Sequence, residues 1–404
     1  MDVKSGYPYW AVKNGLMHAF PALDGDTACD VAVIGGGISG ALIATELASH
    51  GFDVIVLEQR DVAWGSTAAS TALLQYEIDT HLTDLAGMVG EAHAVRAYLA
   101  CADAIDSLAE VAHAVGDVGF ARARSLYYAS RRWHRGRLEK EFQMRRRCGL
   151  DVHWLDRDAL QARFAIDAPG AILSAKAARV DPYRLASRLL DRLRRHGGRV
   201  FDRSCVARLE PTPRGVTLHT AADVRVRARH VVMAAGYACQ QWLDQRVARN
   251  SSSYAFVSDP QPRDVLGPFA HTMAWESARP YLYFRSTVDG RLMVGGQDDA
   301  VDIPSRRDRR VERKARRLVQ RMRDMFPRMA ALQPAYSWAG TFAETRDGLP
   351  FFGAHAQWGP RVLFAMAYGG NGITYSILGA QVLRAQIERR THPLGALFGF
   401  GRLG

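Results

Sequence analysis

Residues 30–34 (DVAVI) form a short β-branched run that reads as a buried strand, and it passes directly into Gly35-Gly36-Gly37-Ile38-Ser39-Gly40. Gly35, Gly37 and Gly40 stand at G-x-G-x-x-G spacing. The stretch ALIATELASHG follows, apolar at helical spacing and stopping at Gly51. Residues 52–57 read as a second strand, with Glu58 at its tip and Gln59 and Arg60 just beyond. Each part has a physical task. Gly35 permits the tight turn, and Gly37 lets the backbone approach a pyrophosphate. Ile38 and Ser39 open the helix whose free N–H groups and dipole favour an anion. Gly40 lets the helix pack close to the strand, and Glu58 can accept hydrogen bonds from ribose hydroxyls. A glycine-rich turn that merely packs a helix on a strand would leave Glu58 unexplained. The combination reads as a dinucleotide site.

Three further segments favour FAD over a nicotinamide cofactor. Residues 60–70 (RDVAWGSTAAS) place small and hydroxyl residues, Gly65, Ser66 and Thr67 among them, just after the acidic strand end. That composition suits a loop passing close to a second part of the cofactor, although a solvated turn uses the same residues. Residues 230–236 (HVVMAAG) read as a later buried strand ending in Ala235 and Gly236, with Trp242 shortly after. Near the C-terminus, Gly370-Asn371-Gly372-Ile373-Thr374 opens a second helix, ILGAQVLRAQI, whose N–H groups could face an anionic oxygen. The same residues also suit a simple glycine and asparagine cap joining two elements.

A chain of 404 residues suggests two or three domains, and 48% hydrophobic with 23% charged residues excludes disordered, collagen-like and coiled-coil classes. The 53 Lys and Arg exceed the 41 Asp and Glu by a formal +12. That charge speaks to loose association rather than fold, so nucleic-acid binding is not inferred. Five cysteines (Cys29, Cys101, Cys148, Cys205, Cys239) have no C-x-x-C spacing, which argues against a disulfide framework or a metal site and fits a cytoplasmic setting. The first residues lack the basic-then-apolar pattern of a signal peptide, and no apolar run is long enough for a membrane span.

Taken together, DVAVIGGGISG with Glu58, RDVAWGSTAAS, VVMAAG, GTFAETRDGLPFFG (residues 340–353) and GGNGITYS resemble the D-amino-acid oxidase superfamily of flavoproteins, which includes glycine, sarcosine and γ-glutamylputrescine oxidases. The resemblance runs from about residue 30 to about residue 385. It implies an α/β, Rossmann-like FAD-binding domain of the glutathione-reductase type plus a sheet-based α+β substrate cap. The expected segments are 1–83, 180–242 and 339–404 for the first and 84–179 and 243–338 for the second. By the same resemblance, Val206 lies against adenine, and the helix over residues 181–196 belongs to the FAD domain. The implied chemistry is oxidation of a C–N bond by hydride transfer to flavin N5, giving an imine. The cofactor supplies the reactivity and the protein orients and tunes it. Residues 370–374 would face the pyrimidine edge of the flavin, where negative charge grows.

The departures from the family pattern matter too. Where α-amino-acid oxidases carry an arginine that forks onto the substrate carboxylate, ungapped alignment puts Phe342, which cannot replace a guanidinium. Where sarcosine oxidases attach flavin to a cysteine, Gly340 stands, so FAD is expected to be non-covalent. Met293 stands where those enzymes carry a lysine that assists oxygen activation. The acceptor is therefore left open between O2 and a quinone or carrier. Tyr281, Tyr283 and Arg285 share one strand face. With Tyr254, Trp338, Phe342 and Tyr368 they are pocket candidates, none assigned as acid or base. An aromatic box suits a cationic or N-alkyl amine. Glu344 could pair with an ammonium, and Arg285 could replace the lost clamp.

The basic stretches 122–147 and 306–328 read as solvated faces, the second an amphipathic helix with Val311, Ala315, Leu318, Val319, Met322 and Phe326 on its stripe. Peripheral membrane contact is the less favoured reading. The C-terminal LGALFGFGRLG reads as a docked tail. The main expectation is an FAD-dependent amine or amino-acid oxidoreductase. The rivals are a flavin-bearing assembly protein without turnover and a flavoprotein of RNA modification.

Overall fold

The run at 30–34 is the inner part of strand Thr27–Ile34, whose last four residues are buried. In the computed structural model, which describes residues 3–300 and 302–403, this strand lies at the centre of an eight-stranded sheet. It pairs in parallel with Val54–Leu57 on one side and Arg225–Met233 on the other. The parallel order extends to Arg199–Phe201 beyond the first and Val362–Met366 beyond the second. Phe351–Ala354 closes one edge antiparallel. Val31–Val33 and Val54–Val56 are completely buried, as expected for a parallel sheet covered on both faces.

The helix expected after the glycines spans Ile38–Ser49. The one expected over 181–196 spans Pro182–Arg195, its N-cap Asp181 accepting from the Arg184 N–H at 2.9 Å. The late glycine-rich motif opens the helix Gly372–Ile387, which packs against Ile38–Ser49. Arg384 donates to Glu46 at 2.8 Å across that contact.

A second, ten-stranded sheet contains every strand of the expected cap segments. Its central members are Arg249–Pro260, Arg291–Asp299, Leu282–Ser286 and Thr272–Glu276. Pro334–Glu344 runs across the expected boundary at 338–339, and Lys4–Gly6 and Leu73–Leu74 join this sheet from the segment expected to bind FAD. Residues 1, 2, 301 and 404 of the expected segments lie outside the described residues.

Helix Val311–Met325 covers one face of the second sheet. Its stripe of Ala315, Leu318, Val319 and Met322 is buried, while Arg313, Arg316 and Arg317 face solvent. The first basic stretch forms the helix Arg135–Arg147, but Arg145 is fully buried, donating to Glu141 at 2.7 Å. The tail is docked: Leu397 and Phe398 are buried, Phe400 stacks on Phe351 at 5.0 Å, and Arg402 donates to Asp347 at 2.8 Å.

Candidate active site

A cavity of about 490 Å³ is lined from both sheets. At one end stands the first glycine turn. Gly35 has φ +112°, and a Cβ there would meet the Ala234 carbonyl oxygen at 2.4 Å, so only glycine fits between the adjoining strand ends. Thr67 Oγ1 accepts from the Ile38 N–H at 2.9 Å and sits 3.0 Å from where a Gly37 Cβ would stand. The Glu58 carboxylate accepts from the Gly36 N–H at 2.9 Å and the Arg60 N–H at 3.0 Å. Burial pushes its pKa up.

Neither helix is capped by the side chain of its own N-cap residue, Thr67 caps the first at the Ile38 N–H, and both starts face this cavity. Ser39 Oγ and Ser376 Oγ lie 2.7 Å apart, fastening the two helix starts side by side. Two positive dipole ends thus converge on one space. The flanking cradle is supplied by Gly65, Ser66, Val206, Ala235, Gly236 and Trp242. This arrangement suits a long, anionic, two-part ligand: ribose at Glu58, pyrophosphate at the first glycine turn and a planar group reaching towards residues 370–374.

The other end is aromatic and acidic. Residues 73–79 run extended past the second helix start, where Thr374 Oγ1 donates to the Gln75 carbonyl at 3.2 Å. Leu73, Gln75, Glu77 and Asp79 line the cavity, whereas Leu74, Tyr76 and Ile78 are buried in the core. This is the alternation of an extended chain between two surfaces. Asp79 Oδ2 accepts from the Gly370 N–H at 2.8 Å. Opposite lie Trp275, Tyr281, Tyr283 and Asp298. Tyr281 meets Trp275 edge-on at 6.1 Å, and Trp275 stacks on Tyr127 at 3.7 Å. Burial raises the pKa of Asp79, and that of Asp298 to about 6.

Most expected site residues meet here. Gln59, Arg60, Gly340, Phe342, Tyr283, Tyr368 and residues 370–374 all line the cavity. Tyr368 donates its hydroxyl to the Gly236 carbonyl at 3.1 Å. Two expectations, for Gly40 and Arg285, need correction. Gly40 does not line the cavity: a Cβ there would lie 1.8 Å from the Gly35 carbonyl oxygen, so it serves helix packing alone. Tyr254 lines the cavity as expected, with its hydroxyl donating to Asp299 at 2.8 Å and its ring 5.0 Å from the Lys314 ammonium. Arg285 is not in the pocket. It shares the face of Tyr283 but lies further along the strand, where its guanidinium donates to the carbonyls of Thr71, Val180 and Ser286. Burial lowers its pKa to about 9.

Glu344 also lies outside the lining, paired with Arg279 at 3.2 Å. Sequence reasoning missed Trp275, Tyr237, Glu77, Asp79 and Asp298. The alternation of LLQYEID was available as a signal for Glu77 and Asp79. Asp298 had none, because it stands in an ordinary polar run near the end of strand Arg291–Asp299, where nothing local marks it as facing a cavity.

The profile of the family described as "FAD dependent oxidoreductase" matches residues 30–386. Gamma-glutamylputrescine oxidoreductase of Escherichia coli (strain K12) is 26% identical over 403 residues, covering 94% of this chain and 89% of that protein. Among solved structures, glycine oxidase from Geobacillus kaustophilus superposes with a TM-score of 0.75 at 19% identity, covering 92% of this chain and 98% of the other. L-proline dehydrogenase from P. horikoshii gives 0.77 at 15%, covering 93% and 97%.

Proposed function

The chain belongs to the FAD dependent oxidoreductase family, and on that premise we propose that it holds FAD non-covalently and oxidises the C–N bond of an amine to an imine. The observation that carries the substrate side is the charge of the cavity. Asp79 and Asp298 line its aromatic end, and Arg60, beside Glu58 at the nucleotide end, is the one Lys or Arg among the described lining residues. A carboxylate substrate finds no guanidinium there, whereas an amine finds ring faces and acceptors.

The residues fit FAD. The N–H groups left free at the two helix starts, the glycine turn at Gly35 and the Glu58 carboxylate suit its pyrophosphate and ribose. Gly340 lines the cavity where a cysteinyl link would require sulfur. When bound, FAD supplies a two-electron sink: the α-carbon's hydride and a nitrogen proton leave the amine, a C=N bond forms and the flavin is reduced. The protein's own part is to hold the α-carbon near the ring, to exclude water with Tyr281, Tyr283, Trp275 and Phe342, and to direct N–H groups of residues 371–374, the Gly370 N–H being held by Asp79, at the ring edge. The two sheets are taken as an FAD-binding domain and a cap, with the substrate between them. O2 or a quinone-type carrier then reoxidises the flavin.

The test is anaerobic mixing of the yellow holoprotein with a panel of primary and N-methylated amines, glycine, sarcosine and D-alanine. Bleaching by amines and slow bleaching by small α-amino acids is the expected result. Fast bleaching by glycine or D-alanine counts against the amine assignment.

A further inference from the structure

The cavity's aromatic end carries more negative charge than one amine needs. Glu77 is fully buried, with Arg145 3.9 Å from Oε1 and the Ser174 hydroxyl donating at 3.1 Å, yet its Oε2 has no partner. Asp298 Oδ1 is likewise buried without a partner. Asp79 accepts a single backbone N–H, from Gly370. The nearby exposed cation, Arg279, is paired with Glu344 and lies over the Tyr281 ring at 3.8 Å. Buried carboxylate oxygens without partners are unfavourable until they are protonated or meet a cation.

That cation is not the nitrogen being oxidised. Its neighbouring carbon gives up hydride only when the nitrogen lone pair is free, and a carboxylate beside it would hold it as the ammonium. The acids therefore match a second positive group that keeps its proton throughout. We propose that the substrate is a diamine or polyamine, and that Asp298 and Asp79 hold the ammonium that is not oxidised while the other end meets the flavin. This rests on the amine reading above. Tyr281 and Trp275 add ring faces on which an ammonium and its methylenes lie well. Asp79 also lines a neighbouring surface cleft whose two guanidiniums, Arg137 and Arg279, are paired with Asp84 and Glu344, which places the retained ammonium towards the opening and the reacting end within.

Two measurements on the holoprotein test this. In the first, anaerobic flavin bleaching is compared for 1,4-diaminobutane, n-butylamine and N-acetyl-1,4-diaminobutane. The diamine is expected to be at least tenfold more efficient than either monocation. Equal efficiencies overturn the second-cation inference and leave amine oxidation standing. No bleaching by any amine removes both. In the second, binding is read without turnover, by calorimetry on dithionite-reduced holoprotein, which cannot oxidise the ligand. Asp298→Asn and Asp79→Asn are each expected to weaken 1,4-diaminobutane at least tenfold and to narrow its advantage over n-butylamine. An unchanged dissociation constant in both variants, with flavin content retained, overturns the assignment.

Discussion

Glu58 faces the turn that it helps to shape, with one carboxylate oxygen on Gly36 and the other on Arg60. Its remaining lone pairs are the ones that the proposed FAD ribose would meet. A hydrogen bond to a charged group contributes about 1.5–3 kcal/mol, so Glu58→Ala should raise the FAD dissociation constant roughly 10- to 100-fold. Unfolding should remain cooperative, because the strands beneath are held by their own core. Titrating apoprotein with FAD measures this, and wild-type affinity would remove Glu58 from the site. Asp298 gives a prediction of opposite character. Burial raises its pKa to about 6 from the ordinary 3.8, with Asp79 and Glu344 adding to the rise and Ser253 and Arg279 opposing it. Between those values the folded state binds the extra proton, so ligand-free stability falls as pH rises through the window. Asp298→Asn should therefore raise the melting temperature of ligand-free protein more at pH 8 than at pH 5. An equal shift at both values would show that the carboxyl is not buried as described.

Arg285 shows how an element decides what a side chain can do. Alternation along Leu282–Ser286 predicts its face correctly, but not its depth, and two positions beyond Tyr283 the cavity has given way to backbone carbonyls from two other segments. Arg285→Ala should lower stability by about 2–4 kcal/mol, because several buried acceptors lose their donor together. The ratio of diamine to glycine rates should stay as it is. Denaturant unfolding paired with flavin bleaching separates the two readings, and a changed ratio at unchanged stability would return Arg285 to the pocket. The same contrast explains what was legible in the sequence. Gly35, Gly37 and Glu58 were readable because local backbone geometry and a fixed spacing dictate them. Tyr283 and Phe342 were readable because ordered motifs place their strands. Asp298 and Trp275 were not, since each reaches the cavity only through sheet register and contacts distant in sequence. The partners of Tyr254 were not legible for a related reason: the Asp299 and Lys314 that engage it come from a strand end and a helix whose packing the sequence does not display.

At the scale of the molecule, the two sheets divide the work, one presenting glycine turns and helix starts, the other a wall of rings and acids. Non-covalent FAD predicts that acid precipitation leaves the yellow colour in the supernatant; colour retained in the pellet would show a covalent link. No helix among the described residues is long and apolar enough to cross a membrane. The pair Ser39 and Ser376 joins helix starts 337 residues apart in the chain, and this separation bears on how the protein comes into being. A ribosome that has made the first turn, the Glu58 carboxylate and most of the ring wall has still made only part of the cradle, because residues 367–374 come after all of them in the chain. Under the proposed FAD binding, cofactor capture is thus deferred until residues 367–374 have been made, and the yellow colour marks chains that carry both glycine turns rather than merely folded first halves.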